Sequence, residues 1–215
     1  MPNKKLMQVN QSSRKFIIGV DEVGTGSLVG EIYICAFLAA KDWNLDGVKD
    51  SKVISEKKRE TICQQLENTD SVVFSIAHTH PNADEYKEYG TNLHALLKFL
   101  YWKAVREVLD RSKETDILIV LDGIIKFPHY PYSLGESISL PKADALVPQV
   151  SAASIIAKNT RDKYIIELGK KYPEYEWNKN KGYSTRQHLA TIKKFGICSE
   201  HRKSYEPIKS ISNEP

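Results

Sequence analysis

Cysteine is scarce: Cys35, Cys63 and Cys198 are scattered over 215 residues. An odd number of thiols so far apart makes neither a disulfide framework nor a zinc site, and they are expected to be reduced. Long apolar runs are missing too. The longest, residues 32–40, has nine residues, against the ~20 that a membrane-spanning helix requires. Met1-Pro2-Asn3-Lys4-Lys5 leads into a polar stretch over 8–13, without the apolar segment of a secretion signal. The expectation is a cytoplasmic protein with no membrane partner. Eleven Gly and nine Pro are ordinary amounts and exclude collagen-like and low-complexity chains. Net charge is only +4, but it is unevenly spread. Residues 151–215 hold 13 Lys and Arg against 7 Asp and Glu, whereas residues 1–150 hold 18 against 20. That asymmetry fits a polyanion gripped by the C-terminal part, and it fits a solvated lysine-rich surface equally well.

With no internal repeat or linker, the chain 1–215 reads as one domain with loose ends. Residues 16–20, 31–39, 72–77 and 117–121 are short, β-branched-rich apolar runs of strand length, and 137–140 is a further candidate strand. Between them lie helical patterns. One starts at Ser55 as N-cap with Glu56 in its first turn. In the next, capped by Thr91, the residues Leu93, Leu96, Leu97, Leu100, Ala104 and Val108 share one face. A third covers about 150–171, and a fourth covers 185–194 and stops near Gly196. The first two strands are too close for a helical crossover and should pair antiparallel. The later strands are separated by helices and should be parallel. The expected class is α/β, a mixed sheet covered by helices.

Acidic residues stand at the ends of the apolar runs. Asp21-Glu22 follows the first, and Asp122-Gly123 follows the fourth. Adjacent strand residues face opposite ways, but where a strand ends in a turn both carboxylates can converge on one site. Carboxylates meeting across a sheet repel unless held apart in solvent or neutralised by a cation. An all-oxygen set suits Mg²⁺ or Mn²⁺ rather than zinc. Taken singly, each acid reads as a surface charge or a turn former. Gly24-Thr25-Gly26, with Gly30 beyond, has the wrong spacing for a dinucleotide loop, and acids precede it where a pyrophosphate would sit. A glycine turn there lets backbone approach a substrate phosphate or sugar, or simply makes a tight bend.

Gly19-Val20-Asp21-Glu22-Val23-Gly24-Thr25-Gly26 resembles the N-terminal signature of the type 2 ribonucleases H, in particular ribonuclease HII. The resemblance continues through Asp50-Ser51-Lys52, Leu121-Asp122-Gly123, Lys142-Ala143-Asp144-Ala145 and the segment from Ser151 to Lys158. Lys181-Gly182-Tyr183-Ser184-Thr185 with His188, and His201-Arg202-Lys203-Ser204-Tyr205-Glu206-Pro207, complete it. These motifs stand in family order over about residues 16–208. The resemblance implies an RNase H-like fold, with a five-stranded mixed sheet flanked by helices and a helical C-terminal part. It also implies hydrolysis of the RNA strand of RNA/DNA hybrids and nicking of duplex DNA at embedded ribonucleotides, leaving 5′-phosphate and 3′-hydroxyl ends.

By the same resemblance the metal-binding and catalytic acids are Asp21, Glu22, Asp122 and Asp144, with Asp162 in reserve for the fourth. Asp21 is expected to bridge two Mg²⁺ or Mn²⁺ ions, Asp122 to lie on the nucleophile side, and Glu22 and Asp144 to complete the set. Gly24, Thr25, Gly26 and Tyr183 are the expected readers of the ribose 2′-hydroxyl, the group that separates RNA from DNA. Tyr183 also reads as a half-buried aromatic. Lys52, Lys142, Lys158, Lys181, Arg186 and Arg202 are the candidate phosphate contacts. His188 and His201 are expected to be structural or phosphate-facing rather than metal ligands.

The chain departs from the family at Thr25, where Arg or Lys is usual, and at Ser27 and Glu31, where prolines are common. Threonine there is similar to ribonuclease HIII, which needs RNA tracts. The alternatives are therefore an HIII-like enzyme and a non-catalytic hybrid-binding module of the same fold. A DNA nuclease of that fold and a small-molecule nucleotide enzyme fit the motifs less well. The family architecture implies a monomer.

Overall fold

Strand β1 (Phe16–Val23) is apolar on both faces and buried over most of its length, so it needs strands on both edges and helices on both sides. The computed structural model, which describes residues 3–44, 54–80, 83, 92–124 and 135–212, provides both. Beside β1 lie β2 (Ile32–Ala40), antiparallel, and β4 (Ile117–Asp122), parallel. The edges are β3 (Val73–Thr79) next to β2 and β5 (Ser137–Leu140) next to β4, so the order is β3-β2-β1-β4-β5. All five expected strands are present, and the antiparallel β1–β2 pair is as expected. The expectation that every later strand pairs in parallel fails at β3. β2 alone runs against the other four strands, and β3 lies beside β2, so their ladder from Ile32↔Thr79 to Leu38↔Val73 is antiparallel.

The helices among the described residues are α1 (Lys4–Gln11), α2 (Glu56–Glu67), α3 (Leu93–Ser112), α4 (Pro148–Lys171), α5 (Trp177–Asn180), α6 (Arg186–Phe195) and α7 (Ile208–Ser212). Ser55 caps α2 by accepting from the Lys58 amide, as expected. For α3 the observed cap is Asn92, which accepts from the Ala95 amide; Thr91 lies outside the described residues. Thr185 caps α6, and Gly196 closes it.

One side of the sheet packs on α3, where Leu96, Leu97, Leu100, Tyr101, Ala104, Val105 and Val108 meet Ile18, Val20, Ile34 and Ile119. The other side packs on α4, whose Ala152, Ala153, Ile155, Ile156 and Ala157 meet Cys35, Phe37 and Ala39. A further cluster built on Trp177, Tyr175, Ile165 and Ile192 joins the C-terminal helices to residues 28 and 29.

The approach of α4 to β1 depends on one glycine. A Cβ at Gly19 would lie 2.2 Å from the Gln149 carbonyl carbon and 2.3 Å from the Val150 nitrogen. Backbone cannot yield as a flexible side chain can, so only glycine lets the first turn of α4 rest on β1, two residues before Asp21. Gly19→Ala is expected to lose about 3 kcal/mol or more of stability, or to fail to fold. Gly26→Ala, whose Cβ would meet only Tyr183 Cε1 at 4.0 Å, should stay within about 1 kcal/mol of the parent. Urea unfolding of the two variants checks the contrast.

Candidate active site

Side-chain alternation along the central strands decides which acids meet. On β1, Ile18 and Val20 belong to the α3-side cluster, whereas Ile17 lies on the α4 side. Asp21 therefore continues the α4 side and Glu22 the α3 side. On β4, Ile119 and Leu121 face α3 while Leu118 and Val120 face the other way, which sends Asp122 to the side of Asp21. Register Val20↔Leu121 places the two aspartates next to each other on adjacent parallel strands.

The third acid arrives from β5. Beyond Leu140 the chain turns through a 3₁₀ segment, Ala143–Ala145, which is pinned on both sides. The Ala143 amide donates to Asp122 Oδ1 at 2.7 Å, and the Ser151 hydroxyl donates to the Asp144 carbonyl. Carboxylate oxygens of Asp21, Asp122 and Asp144 consequently lie within 4.8 Å of one another, the one such group of three among the described residues.

Asp21 is only 8% exposed. Burial pushes its pKa up to about 8, and the charges of Glu22 and Asp122 add to the rise. Hydrogen bonds from the Ser154 hydroxyl and the Glu22 amide oppose it. Such a set is under electrostatic stress that a cation relieves. Its donors are all carboxylate oxygens, which fits a hard divalent ion.

Glu22 is not in the three-acid group, whose oxygens all lie within 4.8 Å of one another. β1 stays extended through Val23, so alternation separates it from Asp21. Glu22 still lines the same cleft, of about 360 Å³, together with Asp21, Asp122, the 24–26 loop, Ser154, Lys158 and Tyr183. From α3 the Tyr101 hydroxyl donates to Glu22 Oε2. Burial first, and then the charge of Glu22, drive this phenol's pKa far up, so it remains a donor.

The glycine loop and the Tyr183 turn form one unit. Ser27 pairs with Tyr183 in a β-bridge, and the Leu28 amide donates to the Gly182 carbonyl at 2.8 Å. Arg202, an expected phosphate contact, is not one. It is 0% exposed, and its guanidinium donates to the carbonyls of Gly24 (2.7 Å), Ser27 (2.9 Å) and Gly30 (2.9 Å). Arg161 is equally buried. It donates to the Lys181 carbonyl and lies over the Tyr183 ring at 5.3 Å. Neither role was visible in the sequence, because a basic residue near the C-terminus reads as a surface charge until the loop it holds is known.

Asp162, the reserve acid, is also corrected. It is 3% exposed, is bound by Arg59 at 3.1 Å and by Lys158 at 2.7 Å, and is not in the three-acid group. Lys158 reaches the cleft from this pair. Lys142 is exposed with φ +62, beside the Asp144 turn, and Lys181 is half-buried. Arg186 is exposed at the start of α6. Lys52, with the rest of Asp50-Ser51-Lys52, lies outside the described residues.

His188 and His201 are structural, as expected of histidines away from a hard-cation site. Trp177 Nε1 donates to His188 Nε2 at 3.0 Å, while His188 Nδ1 donates to the Tyr183 carbonyl at 2.9 Å. His201 Nδ1 accepts from the Cys198 amide at 3.0 Å.

A family model described as Ribonuclease HII matches residues 18–207. The chain belongs to the ribonuclease HII family. Curated relatives named Ribonuclease HII include one from Staphylococcus saprophyticus, 39% identical and covering 92% of this chain and 72% of the relative. Another, from Francisella tularensis, is 35% identical and covers 92% of this chain and 99% of the relative. Among solved structures, ribonuclease H2 of Pyrococcus horikoshii superposes with a TM-score of 0.72 at 25% identity, covering 91% of this chain and 96% of that one. Bst-RNase HIII in complex with Mn²⁺ gives 0.73 at 19% identity, over 96% and 72%, a likeness of fold. Membership of the ribonuclease HII family makes this chain a metal-dependent ribonuclease that acts on RNA/DNA hybrids.

The buried histidines make stability fall in acid. Burial lowers the His201 pKa to about 4, and neighbouring His188 adds to the shift. Between that value and the ordinary ~6.5, the unfolded chain binds a proton that the folded protein refuses, so stability drops as pH falls through this window. The loss amounts to about 3 kcal/mol at most. Chemical denaturation from pH 7 to 4.5 should show a shallower decline for His201→Asn than for the parent.

Proposed function

We propose that residues 16–208 form one catalytic domain. With Mg²⁺ or Mn²⁺ it cuts the RNA strand of hybrids and incises duplex DNA at embedded ribonucleotides, leaving 5′-phosphate and 3′-hydroxyl ends. The observation that carries this reading is the convergence of Asp144 with Asp21 and Asp122, the two aspartates lining the cleft that also presents the glycine loop and Tyr183. These three acids, with Glu22 lining the same cleft, would hold the divalent ions. Once bound, such ions supply an activated water, stabilisation of the leaving 3′-oxygen and charge neutralisation at the phosphate.

The remaining residues bind and select. A trans peptide points its N–H opposite to its C=O, so anchoring the Gly24 carbonyl on Arg202 turns the Thr25 amide away from that arginine. Thr25 lines the cleft, where the amide is placed to meet a sugar or phosphate oxygen. Tyr183, held against Arg161 and beside the glycine loop, is the side chain that reads the 2′-hydroxyl. Lys158, Lys142, Lys181 and Arg186 meet backbone phosphates, and their release of counterions makes binding weaken with salt. The protein acts as a monomer in the cytoplasm. An HIII-like preference for RNA tracts is the second reading, favoured by Thr25 alone.

Labelled duplexes carrying zero, one or four ribonucleotides, incubated with Mg²⁺, Mn²⁺ or chelator, test both readings. Cutting of the one- and four-ribonucleotide duplexes, abolished by chelator, is the expected result. Cutting only of the four-ribonucleotide duplex would establish the tract-specific reading, and no metal-dependent cutting would sink the assignment. Asp122→Asn should lower turnover at least about a thousandfold while retaining hybrid affinity. Tyr183→Ala should lose about tenfold or more of the preference for ribonucleotide junctions, read as a ratio of kcat/KM values.

A further inference from the structure

Alternation leaves Glu22 on the α3 side of β1, apart from the three aspartates, yet lining their cleft. A glutamate has three rotatable bonds. Repulsion from Asp21 and Asp122 drives a free carboxylate outward to water, where it contributes nothing to a metal centre. A contact from the core opposes this. Tyr101, from the middle of α3, is 1% exposed in an apolar cluster with Leu97, Leu100, Ala104 and Val105. Its hydroxyl donates to Glu22 Oε2 at 2.5 Å. A buried phenol needs an acceptor, and a carboxylate acceptor gives the shorter and stronger kind of hydrogen bond. The ring is fixed by the core, so the oxygen it holds is fixed as well.

We propose that Tyr101 is a positioning residue for the metal centre. Its hydroxyl holds Glu22 Oε2 in place beside the cleft, and this sets how tightly the acids hold a divalent ion. The chemistry of the donor matters. A lysine or arginine at this place would orient Glu22 but also neutralise it, removing one unit of the charge that attracts the cation. A phenol orients without neutralising. If Tyr101 were only core filling, phenylalanine would serve equally well, since the rest of its surroundings is apolar. The proposal rests on the reading of the acids as metal ligands.

The test removes one oxygen atom. Metal-free Tyr101→Phe is titrated with Mn²⁺, and the midpoint is read by calorimetry and by the metal-induced rise in Tm, with cleavage as a separate measurement. The expected result is a midpoint raised about tenfold or more in all three, with kcat at saturating Mn²⁺ changed far less. Tyr101→Met, which also keeps the core apolar, should give the same shift. Adding Tyr101→Phe to Glu22→Ala should move the midpoint no further. A midpoint within about twofold of the parent, with only Tm reduced, would overturn the proposal. So would a shift that persists undiminished in the Glu22→Ala background. Asp21→Asn separates the two levels: if it bound Mn²⁺ like the parent, the metal assignment itself would fall, and the role of Tyr101 with it.

Discussion

Mutual repulsion of carboxylates is the constraint around which this molecule is arranged. Three of them lie within 4.8 Å of one another, and one is buried deeply enough that its pKa rises to about 8. No local preference brings such groups together. The two central strands do so because their apolar residues pair in a fixed register over five positions, and the acids come next in line. Burial of the strands on both faces thus forces the acids into proximity, and charge is concentrated where the apolar ladder ends.

The cations of the site are arranged in the opposite sense, set back from the acids rather than among them. Arg202 and Arg161 are spent on backbone carbonyls and an aromatic ring behind the glycine loop. Arg59 is spent on Asp162, and Lys158, paired with the same aspartate, is the one of these cations that also reaches the cleft. None joins the three-aspartate group, so its negative charge stays available for a metal ion. The loop meanwhile gains rigidity from the Arg202 guanidinium, whose planar fork holds three of its carbonyls at once.

Much of this was legible in the residues themselves. The apolar runs located four of the five strands, because a strand of a covered sheet is nearly continuous in hydrophobicity, and the alternating Ser137–Leu140 was the fifth candidate. The acids at their ends located the site. Three features were hidden for physical reasons. The end of β1 was misplaced at Val20, because charged residues look like the end of a strand even when pairing continues past them to Val23, and so the separation of Asp21 from Glu22 was missed. The antiparallel β3 depends on which edge it joins, a choice made by tertiary packing with α3. Arg202 and Asp162 differ from expectation because each is buried by a partner more than a hundred residues away, the Gly24 carbonyl and Arg59, which local pattern does not reveal; only the Lys158–Asp162 pair, one turn apart on α4, is local.

The burial of Trp177 has a spectroscopic consequence. The chain holds three tryptophans, and each belongs to a different layer: Trp43 packs on Phe37 under the α4 side, Trp102 lies beside Phe99 on α3, and Trp177 stacks on Tyr175 among the C-terminal helices. An indole sealed from water emits at shorter wavelength than a wetted one. Each layer of the enzyme therefore carries its own fluorophore, and single-tryptophan variants would report the packing of the C-terminal helices separately from assembly of the sheet.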